Sequence, residues 1–480
     1  MKRTVSRRAS LALFGAGLAA AWTGRALAAG TKQPGDFPDA PKVIWDYHTQ
    51  IPAVRPATTV KAGFTFAAAG DLIYSLPMLP RGDAGIEALS KVIHAADASL
   101  ANQEGSILDL QSFDGYMEAE NGGGYPVGSP ALARDIAGLG FTFANKANNH
   151  AMDFGRAGLL ETRRHLQEAG LLTPGVGDNR ALARAAQIKD TPHGRVAVIG
   201  AASTFPLSAP AGAAGGVAKG RPGIDVVRTR RITLVTASEM ASLRAMAREH
   251  GQTRPDSTEL SFGGEAFRTA AKPGYTYDID PVDRFEILRA VRGAKNVADA
   301  AVFTIHAHEN AGMGSDRVPA DFQQALYHDV VDAGGDVVAV HGPHLTRGVE
   351  IYKGRPIFYG LGGFAYQMLG SAPMTPEDYE NLEVDPRFVT NGDADAGGSP
   401  SAWYGGLLAV TEFGDGGAVR EVRLHPIDLR ESDPQKSRGL PQPATGERAR
   451  QIIAQVQADS APYRTKIGFE NDLGVIRGPF

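Results

Sequence analysis

Short apolar runs alternate with stretches of helical periodicity along most of the chain. The apolar runs have the length of buried strands and lie at residues 64–69, 99–101, 141–144, 196–200, 301–305, 336–340 and 356–359. The helical patterns lie at residues 85–96, 155–169, 281–290 and 320–333. Strands that alternate with helices are typical of an α/β domain with a largely parallel sheet, and this is the fold class that we expect.

Three segments interrupt this alternation. Residues 29–60 are rich in proline and are predicted to form an N-terminal segment that wraps the surface. Residues 205–280 contain a glycine- and alanine-rich tract at 211–220 and irregular polar stretches, so they are predicted to be an insertion or a flap. Residues 367–400 are rich in proline, glycine and acidic residues, which is typical of a loop.

The C-terminal part returns to regular patterns. Residues 403–429 predict two strands around a glycine-rich turn, and residues 446–459 predict a terminal helix. We therefore expect a main domain over residues 61–370 and a C-terminal extension over residues 371–480 that packs on it.

The composition excludes several classes of protein. Of the 480 residues, 43% are hydrophobic and 21% are charged, which is enough apolar surface for a large core and argues against wholesale disorder. The formal net charge of −4 gives no electrostatic footprint for a nucleic acid. Because the chain has no cysteine, any metal must be held by histidine, carboxylate or amide side chains.

The first 28 residues have the layout of an export signal. A basic start is followed by an apolar stretch at residues 11–22 and then by Ala26-Leu27-Ala28, a small-residue cleavage site. The consecutive pair Arg7-Arg8 resembles the twin-arginine signal, which exports folded proteins; a general secretory signal with two chance arginines is the alternative. No later stretch is apolar enough to span a bilayer. We expect a protein that is periplasmic or extracellular after cleavage of the signal.

Polar side chains follow directly on five of the apolar runs. They form clusters whose members are all able to bind a metal, namely Asp71; Asn102 and Glu104; Asn148, Asn149 and His150; His306, His308 and Glu309; His341 and His344. The carboxyl ends of parallel strands share one edge of a sheet, and loops at that edge build the site. The sequence therefore predicts that the five clusters converge.

Each cluster alone also has an ordinary structural explanation. Asp71 is suited to a turn, Asn148 and Asn149 to a helix N-cap, and the histidine pair at 341 and 344 to a loop. Together the clusters favour a metal site, and imidazole with carboxylate suits Zn, Mn, Fe or Ni better than Ca. Enough ligands are present for two divalent ions, which together clamp a phosphate and activate water.

An ordered set of motifs resembles the CapA family of capsule biosynthesis proteins, which is associated with poly-γ-glutamate. The motifs that carry the resemblance are Ala69-Gly70-Asp71, Ala101-Asn102-Gln103-Glu104-Gly105, Ala147-Asn148-Asn149-His150-Ala151-Met152-Asp153-Phe154-Gly155, Arg221-Pro222-Gly223-Ile224, His306-Ala307-His308-Glu309, His341-Gly342-Pro343-His344 and the block at residues 350–364. They span about residues 64–367 in order, and the ordered set is far more specific than any single motif.

That family is similar to the calcineurin-like metallophosphoesterases. The resemblance implies a four-layer α/β/β/α sandwich with a two-metal site at the strand ends. It implies that the metal ligands are Asp71, Glu104, Asn149, His306, His341 and His344. It implies that His150 is the catalytic proton donor, and that the residues around the ligands or the substrate are Asn102, Asn148, Asp153, His308 and Glu309. His308 and Glu309 either bind a metal directly or support the ligands, and their spacing in the sequence does not decide between these two roles.

The chain departs from the family in two places. Leu361-Gly362-Gly363-Phe364 stands where the family often has Leu-Gly-Asn-Phe, which removes a side chain from the surroundings of the metals. Asp71-Leu72-Ile73 lacks the histidine of the Asp-x-His motif of phosphoesterases. Full occupancy by two metals therefore requires Glu104 or His308 to compensate.

Three functions remain open on the sequence alone. The first is an exported metal-dependent hydrolase that acts on a phosphoester, or on another bond such as the amide of a γ-glutamyl polymer. The second is a non-catalytic accessory or binding protein of poly-γ-glutamate or polysaccharide synthesis or export, with a structural metal site, and the third is a binding protein without metal. The expected partners are an anionic polymer or a phosphoester substrate, and an envelope synthesis or export complex.

Overall fold

The computed structural model describes residues 51–480, apart from 53, 119–124, 253–257, 313–315, 368–400 and 435. The predicted export signal at residues 1–28, most of the predicted surface segment at 29–60 and nearly all of the loop predicted at 367–400 lie outside the described residues. No helix in the described ranges has the length and apolar character that a membrane span requires.

The helices fall where the sequence predicts them, with three more in addition. Within the described part of the chain, the α-helices are α1 (Ala84–His94), α2 (Ala131–Gly138), α3 (Gly155–Glu168), α4 (Arg180–Arg184), α5 (Ala237–Glu249), α6 (Pro281–Lys295), α7 (Asp321–Ala333) and α8 (Gly446–Ser460). Side-chain caps fix several of their first turns. Asp83 accepts hydrogen bonds from the backbone of Gly85 and Ile86, and Asp280 caps α6 in the same way.

The strands include all seven that the apolar runs predict. They are β1 (Thr65–Ile73), β2 (Ala98–Gln103), β3 (Ser106–Ile107), β4 (Val127–Gly128), β5 (Phe143–Asn145), β6 (Val176–Gly177), β7 (Gln187–Thr191), β8 (Gly194–Ala202), β9 (Gly223–Ile224), β10 (Thr229–Val235), β11 (Glu259–Phe262), β12 (Glu265–Thr269), β13 (Gly274–Ile279), β14 (Ala300–His306), β15 (Val337–His341), β16 (Val349–Tyr352), β17 (Arg355–Phe358), β18 (Gly363–Tyr366), β19 (Gly405–Phe413), β20 (Val419–Asp428), β21 (Gln442–Pro443), β22 (Gly468–Glu470) and β23 (Leu473–Arg477).

Two large sheets form the centre of the structure. The first has the order β22-β23-β20-β19-β1-β2-β5, with β18 paired to β1 and β21 to β20. The second has the order β16-β17-β15-β14-β8-β7. The strands β1, β2 and β5 are parallel, as are β8, β14, β15 and β17, so each sheet has one edge at which several strands end.

Side-chain alternation along the strands builds four layers. In β1, Phe66 and Ala68 join the core between the sheets, whereas Ala67 and Ala69 face the opposite side and pack with α1 and α2. In β14, Val302 lies in the core between the sheets, and Phe303 packs with α6 and α7 on the outer face. The order helix, sheet, sheet, helix confirms the α/β/β/α sandwich.

The predicted insertion at residues 205–280 and the predicted C-terminal extension also carry regular structure. Residues 205–280 include a small sheet in the order β11-β12-β10-β13, which packs with α5 around its own apolar cluster. In the C-terminal part, β19 pairs with β1 and β20 pairs with β19, while Ile452 and Ile453 of α8 lie in the core between the sheets. Strand β1 therefore lies inside the first sheet, between β2 and β19.

Candidate metal centre

The parallel strands of both sheets end at one place. Asp71 in β1 is paired in register with Asn102 in β2, and Asn102 is paired with Asn145 in β5. In the second sheet, His306 at the end of β14 is paired with His341 at the end of β15. The predicted convergence of polar clusters at the strand ends is thus present. Most of these side chains are buried, and the half-buried ones are Asn149, His308, Glu309 and His344.

Three groups of side chains at this edge could hold a metal ion. In each group, one ligand atom per residue lies within 4.8 Å of the others; the groups are Asp71, His306 and His341; Glu104, His306 and His308; and Asp71, Glu104 and His344. The groups overlap, since Asp71, Glu104 and His306 each belong to two of them. All the carboxylates and histidines predicted as ligands are members, and His308 joins them as a donor in its own right.

Glu104 has an oxygen that faces this space without a hydrogen bond. Its Oε1 atom is buried and lacks a hydrogen-bond partner, and it lies 3.8 Å from His306 Nε2 and 3.9 Å from His344 Nε2. Burial raises the pKa of Glu104 well above its usual range, and the charge of Asp71 raises it further. A buried carboxylate of this kind needs a cation, so the residues present fit a divalent metal.

Three of the histidines, at positions 306, 308 and 341, are held in the neutral form that binds metals. His306 Nε2 lies 2.9 Å from His308 Nε2, and His306 Nδ1 lies 3.2 Å from His341 Nδ1. Burial lowers the pKa of His306 well below its usual range, that of His308 to about 3 and that of His341 to about 4. Each imidazole therefore carries a free lone pair near neutral pH.

Asp71 is held as the charged form despite its burial. Burial raises its pKa, but the hydrogen bond and charge of His344, the charge of His341 and the hydrogen bond from Asn102 outweigh this and lower it to about 2. Its Oδ2 atom accepts from the backbone N–H of Gly342 at 3.2 Å and lies 3.1 Å from His344 Nδ1. Asp71 is thus an ionised candidate ligand whose hydrogen bonds join the two sheets.

Three asparagines hold the carboxylates in place. Asn102 Nδ2 lies 2.9 Å from Asp71 Oδ1 and 3.1 Å from Glu104 Oε2, as a donor to both. Asn102 Oδ1 accepts in turn from Asn145 at 3.0 Å and from Asn148 at 3.1 Å. The predicted supporting roles of Asn102 and Asn148 agree with this placement, while Asn145 is a residue that the motifs did not single out.

His150 and Asp153 form a buried pair beside the cluster. The short 3₁₀-helix Asn149–Met152 carries His150, whose Nδ1 lies 2.7 Å from Asp153 Oδ2. A charge on His150 would lower the pKa of both His306 and His308, which places the pair next to the candidate ligands. Asn149 begins the same short helix, and its assignment as a metal ligand stays a prediction.

The segment after β14 is tied down from two sides. Glu309 Oε2 accepts a hydrogen bond from Ser203 at 2.7 Å, and the backbone N–H of His308 donates to Thr204 at 3.0 Å. The buried guanidinium of Arg347 donates to the carbonyl oxygen of Glu309 at 3.1 Å. Glu309 does not belong to any of the three candidate ligand groups, so its contacts are those of a supporting residue.

Comparison with known proteins identifies the family. The family described as "Bacterial capsule synthesis protein PGA_cap" matches residues 65–368, the range over which the motifs are found. The chain belongs to this family. The PGA_cap family is metallophosphoesterase-like, in agreement with the four-layer sandwich.

Three relatives align with different shares of this PGA_cap chain, and the names of two of them refer to capsule or polyglutamine synthesis. The uncharacterized protein y4sH of Sinorhizobium fredii is 37% identical over 439 residues, which is 88% of this chain and 94% of that protein. The capsule biosynthesis protein CapA of Bacillus anthracis is 26% identical over 47% of this chain and 40% of its own length. A probable polyglutamine synthesis accessory protein of Mycobacterium tuberculosis is 26% identical over 45% of this chain and 43% of its own length.

A steric contact explains why position 363 is a glycine in this PGA_cap chain. Gly363 is paired in register with Asp71, and a Cβ atom built on it would lie 2.9 Å from Leu429 Cδ1. An asparagine here would force Leu429 to move. Leu72 and Ile73, which replace the rest of the Asp-x-His motif, are buried in the apolar cluster between the first sheet and its helices.

Besides Asn145, two further residues of the site escaped the sequence analysis. The ring of Trp403 packs edge-on against His344 with 4.9 Å between ring centroids, and His344 itself has a left-handed backbone with φ of 57°. Lys146 is completely buried, and its ammonium donates a hydrogen bond to the carbonyl of Gly105. A lysine two residues before the Asn-Asn-His motif, in a stretch that otherwise has the pattern of the end of a buried strand, was a signal available in the sequence.

Proposed function

We propose that this PGA_cap protein is an exported, metal-dependent hydrolase of capsule or cell-envelope polymer metabolism that acts on a phosphoester. The overlap of the three ligand groups carries the proposal. Because Asp71, Glu104 and His306 are each shared, the cluster suits two adjacent ions rather than one. A site that only stabilised the fold would need a single closed set of ligands.

The residues divide naturally between the two ions. Asp71, His306 and His341 would hold one ion. Glu104 would hold the other, either with His308 and the shared His306 or with His344 and the shared Asp71, and Asn149 would be an additional oxygen ligand. Mn, Zn and Fe all suit this set of donors. When bound, such a pair of ions supplies Lewis acidity toward a phosphoryl group and lowers the pKa of water.

The chain supplies the remaining chemistry through His150. Its Nδ1 atom is hydrogen-bonded to Asp153, which fixes the ring and leaves Nε2 to carry the proton that the leaving oxygen needs. A purely structural metal site has no use for such a pair. The same arrangement would also serve hydrolysis of an amide in a γ-glutamyl polymer, so substrates of both kinds belong in the first screen.

The names of the relatives favour one alternative, a non-catalytic accessory of polymer synthesis or export. The Mycobacterium tuberculosis relative is itself named an accessory protein, although it aligns with less than half of this chain. In that case the metals would hold the fold or bind polymer carboxylates, and an envelope synthesis or export complex would be the partner. Export through the twin-arginine route is part of both proposals.

Metal content and hydrolysis test the proposal together. We expect the mature protein, purified without chelator, to contain about two transition-metal ions per chain and to hydrolyse bis-(p-nitrophenyl) phosphate when Mn is added. The variant His344→Ala should lose both metal and activity. His328→Ala is the matched control, since His328 binds Glu350 on the outer face of the second sheet and lies away from the ligands.

The outcomes separate the two functions. Metal without hydrolysis of any phosphoester or γ-glutamyl substrate would overturn the hydrolase and favour the accessory protein. No metal in either sample, even after incubation with Mn or Zn, would overturn the metal site itself.

A further inference from the structure

Lys146 is a buried charge that the proposed chemistry has not yet used. Its side chain is completely buried, and its ammonium donates to the Gly105 carbonyl, one residue beyond Glu104. Burying an ammonium costs free energy, and an apolar side chain of similar length would fill the same space without that cost. A charge retained at such a place calls for an explanation from its surroundings.

The surroundings of Lys146 contain two carboxylates with different tasks. Burial lowers the pKa of Lys146 to about 8, and the charges of Asp153 and Glu104 act in the opposite direction. In return, the charge of Lys146 lowers the pKa of Glu104. Glu104 belongs to the candidate ligands, whereas Asp153 binds the proposed proton donor His150. The hydrogen bond to Gly105 ties the segment after β5, which carries His150 and Asp153, to the segment after β2, which carries Glu104, so Lys146 joins both halves of the site.

We propose that Lys146 is a further positioning residue, whose buried ammonium ties the segment that carries the ligand Glu104 to the segment that carries His150 and Asp153, so that His150 is aligned relative to the metals. This inference rests on the proposed hydrolase. It assigns no contact between Lys146 and substrate, and no proton transfer by its ammonium. The positive charge matters because a hydrogen bond from a charged donor is stronger than one from a neutral donor.

The first experiment compares two neutral substitutions with a matched control. Lys146→Met keeps the length of the side chain and removes the charge, while Lys146→Gln keeps a donor for the Gly105 carbonyl. Lys295→Met is the control, because Lys295 is equally buried but binds Asp336 at the opposite ends of the strands. We expect both changes at Lys146 to lower kcat by about tenfold or more at unchanged KM and unchanged metal content, whereas Lys295→Met leaves kcat unchanged.

A second measurement does not depend on activity. The His150 Nδ1 proton in its 2.7 Å contact with Asp153 should give a far-downfield proton resonance in metal-free protein, which His150→Gln removes and thereby assigns. We expect Lys146→Met and Lys146→Gln to shift or broaden this signal, and Lys295→Met to leave it in place.

These results distinguish failure of the proposed hydrolase from failure of the positioning role of Lys146. If the wild-type protein hydrolyses nothing but the resonance responds to both changes at Lys146, then the hydrolase fails and the positioning role stands. If Lys146→Gln keeps both the wild-type kcat and the wild-type resonance, or if its loss of kcat merely follows a loss of metal, the positioning role is overturned.

Discussion

His150 is the residue at which the two candidate functions differ most sharply. Its contact with Asp153 uses one ring nitrogen and fixes the imidazole beside the cluster of candidate ligands. Neither residue belongs to the three groups that could hold a metal. A change at His150 should therefore separate proton transfer from metal binding.

We predict that His150→Gln lowers kcat by about a hundredfold for a phosphodiester with an alkyl leaving group, because that oxygen must be protonated as it departs. Bis-(p-nitrophenyl) phosphate should lose much less, since nitrophenolate leaves without a proton. Metal analysis of the variant should give the wild-type content. An equal loss on both substrates would contradict a role in proton donation.

The pKa of a second residue, His425, reflects its burial on a strand that carries none of the candidate ligands. His425 lies in β20, and burial, together with the charge of Arg423 on the same strand, lowers its pKa from 6.5 to about 4. Between these two pKa values the unfolded chain binds a proton that the folded protein does not. Its contribution to the free energy of unfolding is therefore complete above pH 6.5 and is lost as the pH falls toward 4.

We predict that His425→Gln removes this dependence. The difference in the free energy of unfolding between variant and wild type should shift in favour of the variant by up to about 3 kcal/mol as the pH falls from 7 to 4. Urea unfolding at several pH values measures it. A difference that stays constant with pH would show that His425 titrates normally.

The residues that the sequence revealed are those that carry a motif. Asp71, Glu104, His306, His341 and His344 could be predicted because five clusters of metal-competent side chains each follow an apolar run, and the set is more specific than any one cluster. Trp403 could not, because it reaches His344 only through the pairing of distant strands. Lys146 was not predicted as a site residue, because a single lysine at a strand end has many ordinary explanations.

At the scale of elements, the site depends on a close approach of two backbones. A Cβ atom built on Gly70 would lie only 1.7 Å from the carbonyl oxygen of Gly362, and that same oxygen accepts from the N–H of Asp71 at 3.0 Å. No side chain fits between β1 and the segment before β18. The glycine therefore sets the position of the aspartate that follows it.

We predict that Gly70→Ala lowers the free energy of unfolding by about 3 kcal/mol or more, since rigid backbone on both sides prevents relaxation. The variant should also bind less metal. Gly293→Ala is the control, because Gly293 lies in α6 with open space around its Cβ position, and it should stabilise the protein by about 0.5–1 kcal/mol. Chemical denaturation of both variants measures the contrast, and a mild effect of Gly70→Ala would contradict it.

The elements themselves were more predictable than their arrangement. Apolar runs and helical periodicity located the central strands and helices, because burial imposes those patterns locally. These local patterns do not specify which strands pair with each other. The antiparallel pairing of Thr65 in β1 with Glu412 in β19 depends on the tertiary fold, and so does the contact of Asp71 with His344.

At the scale of the whole molecule, metal binding should be visible as stability. The candidate ligands come from both sheets, so the unfolded chain offers no comparable site, and any ion that binds must favour the folded state. Glu104 and Asp71 are buried close together, and a cation between them would relieve their mutual repulsion.

We predict that Mn or Zn at about a hundredfold excess over its Kd stabilises the folded protein by about 2.7 kcal/mol per site. The midpoint of thermal unfolding should rise accordingly, and chelator should reverse the rise. His344→Ala should respond less than wild type, while His328→Ala should respond as wild type does. A midpoint of thermal unfolding that changes with neither metal nor chelator would contradict the prediction.

The position of β1 between β2 and β19 has a consequence for how this protein can be divided. The family match ends at residue 368, before β19 begins at Gly405. A chain cut at that boundary would leave the backbone N–H and C=O groups of residues 65–69 without their neighbouring strand, as an apolar open edge. Such an edge pairs readily with the same edge of another copy of the chain. Residues 65–368 expressed alone would therefore aggregate.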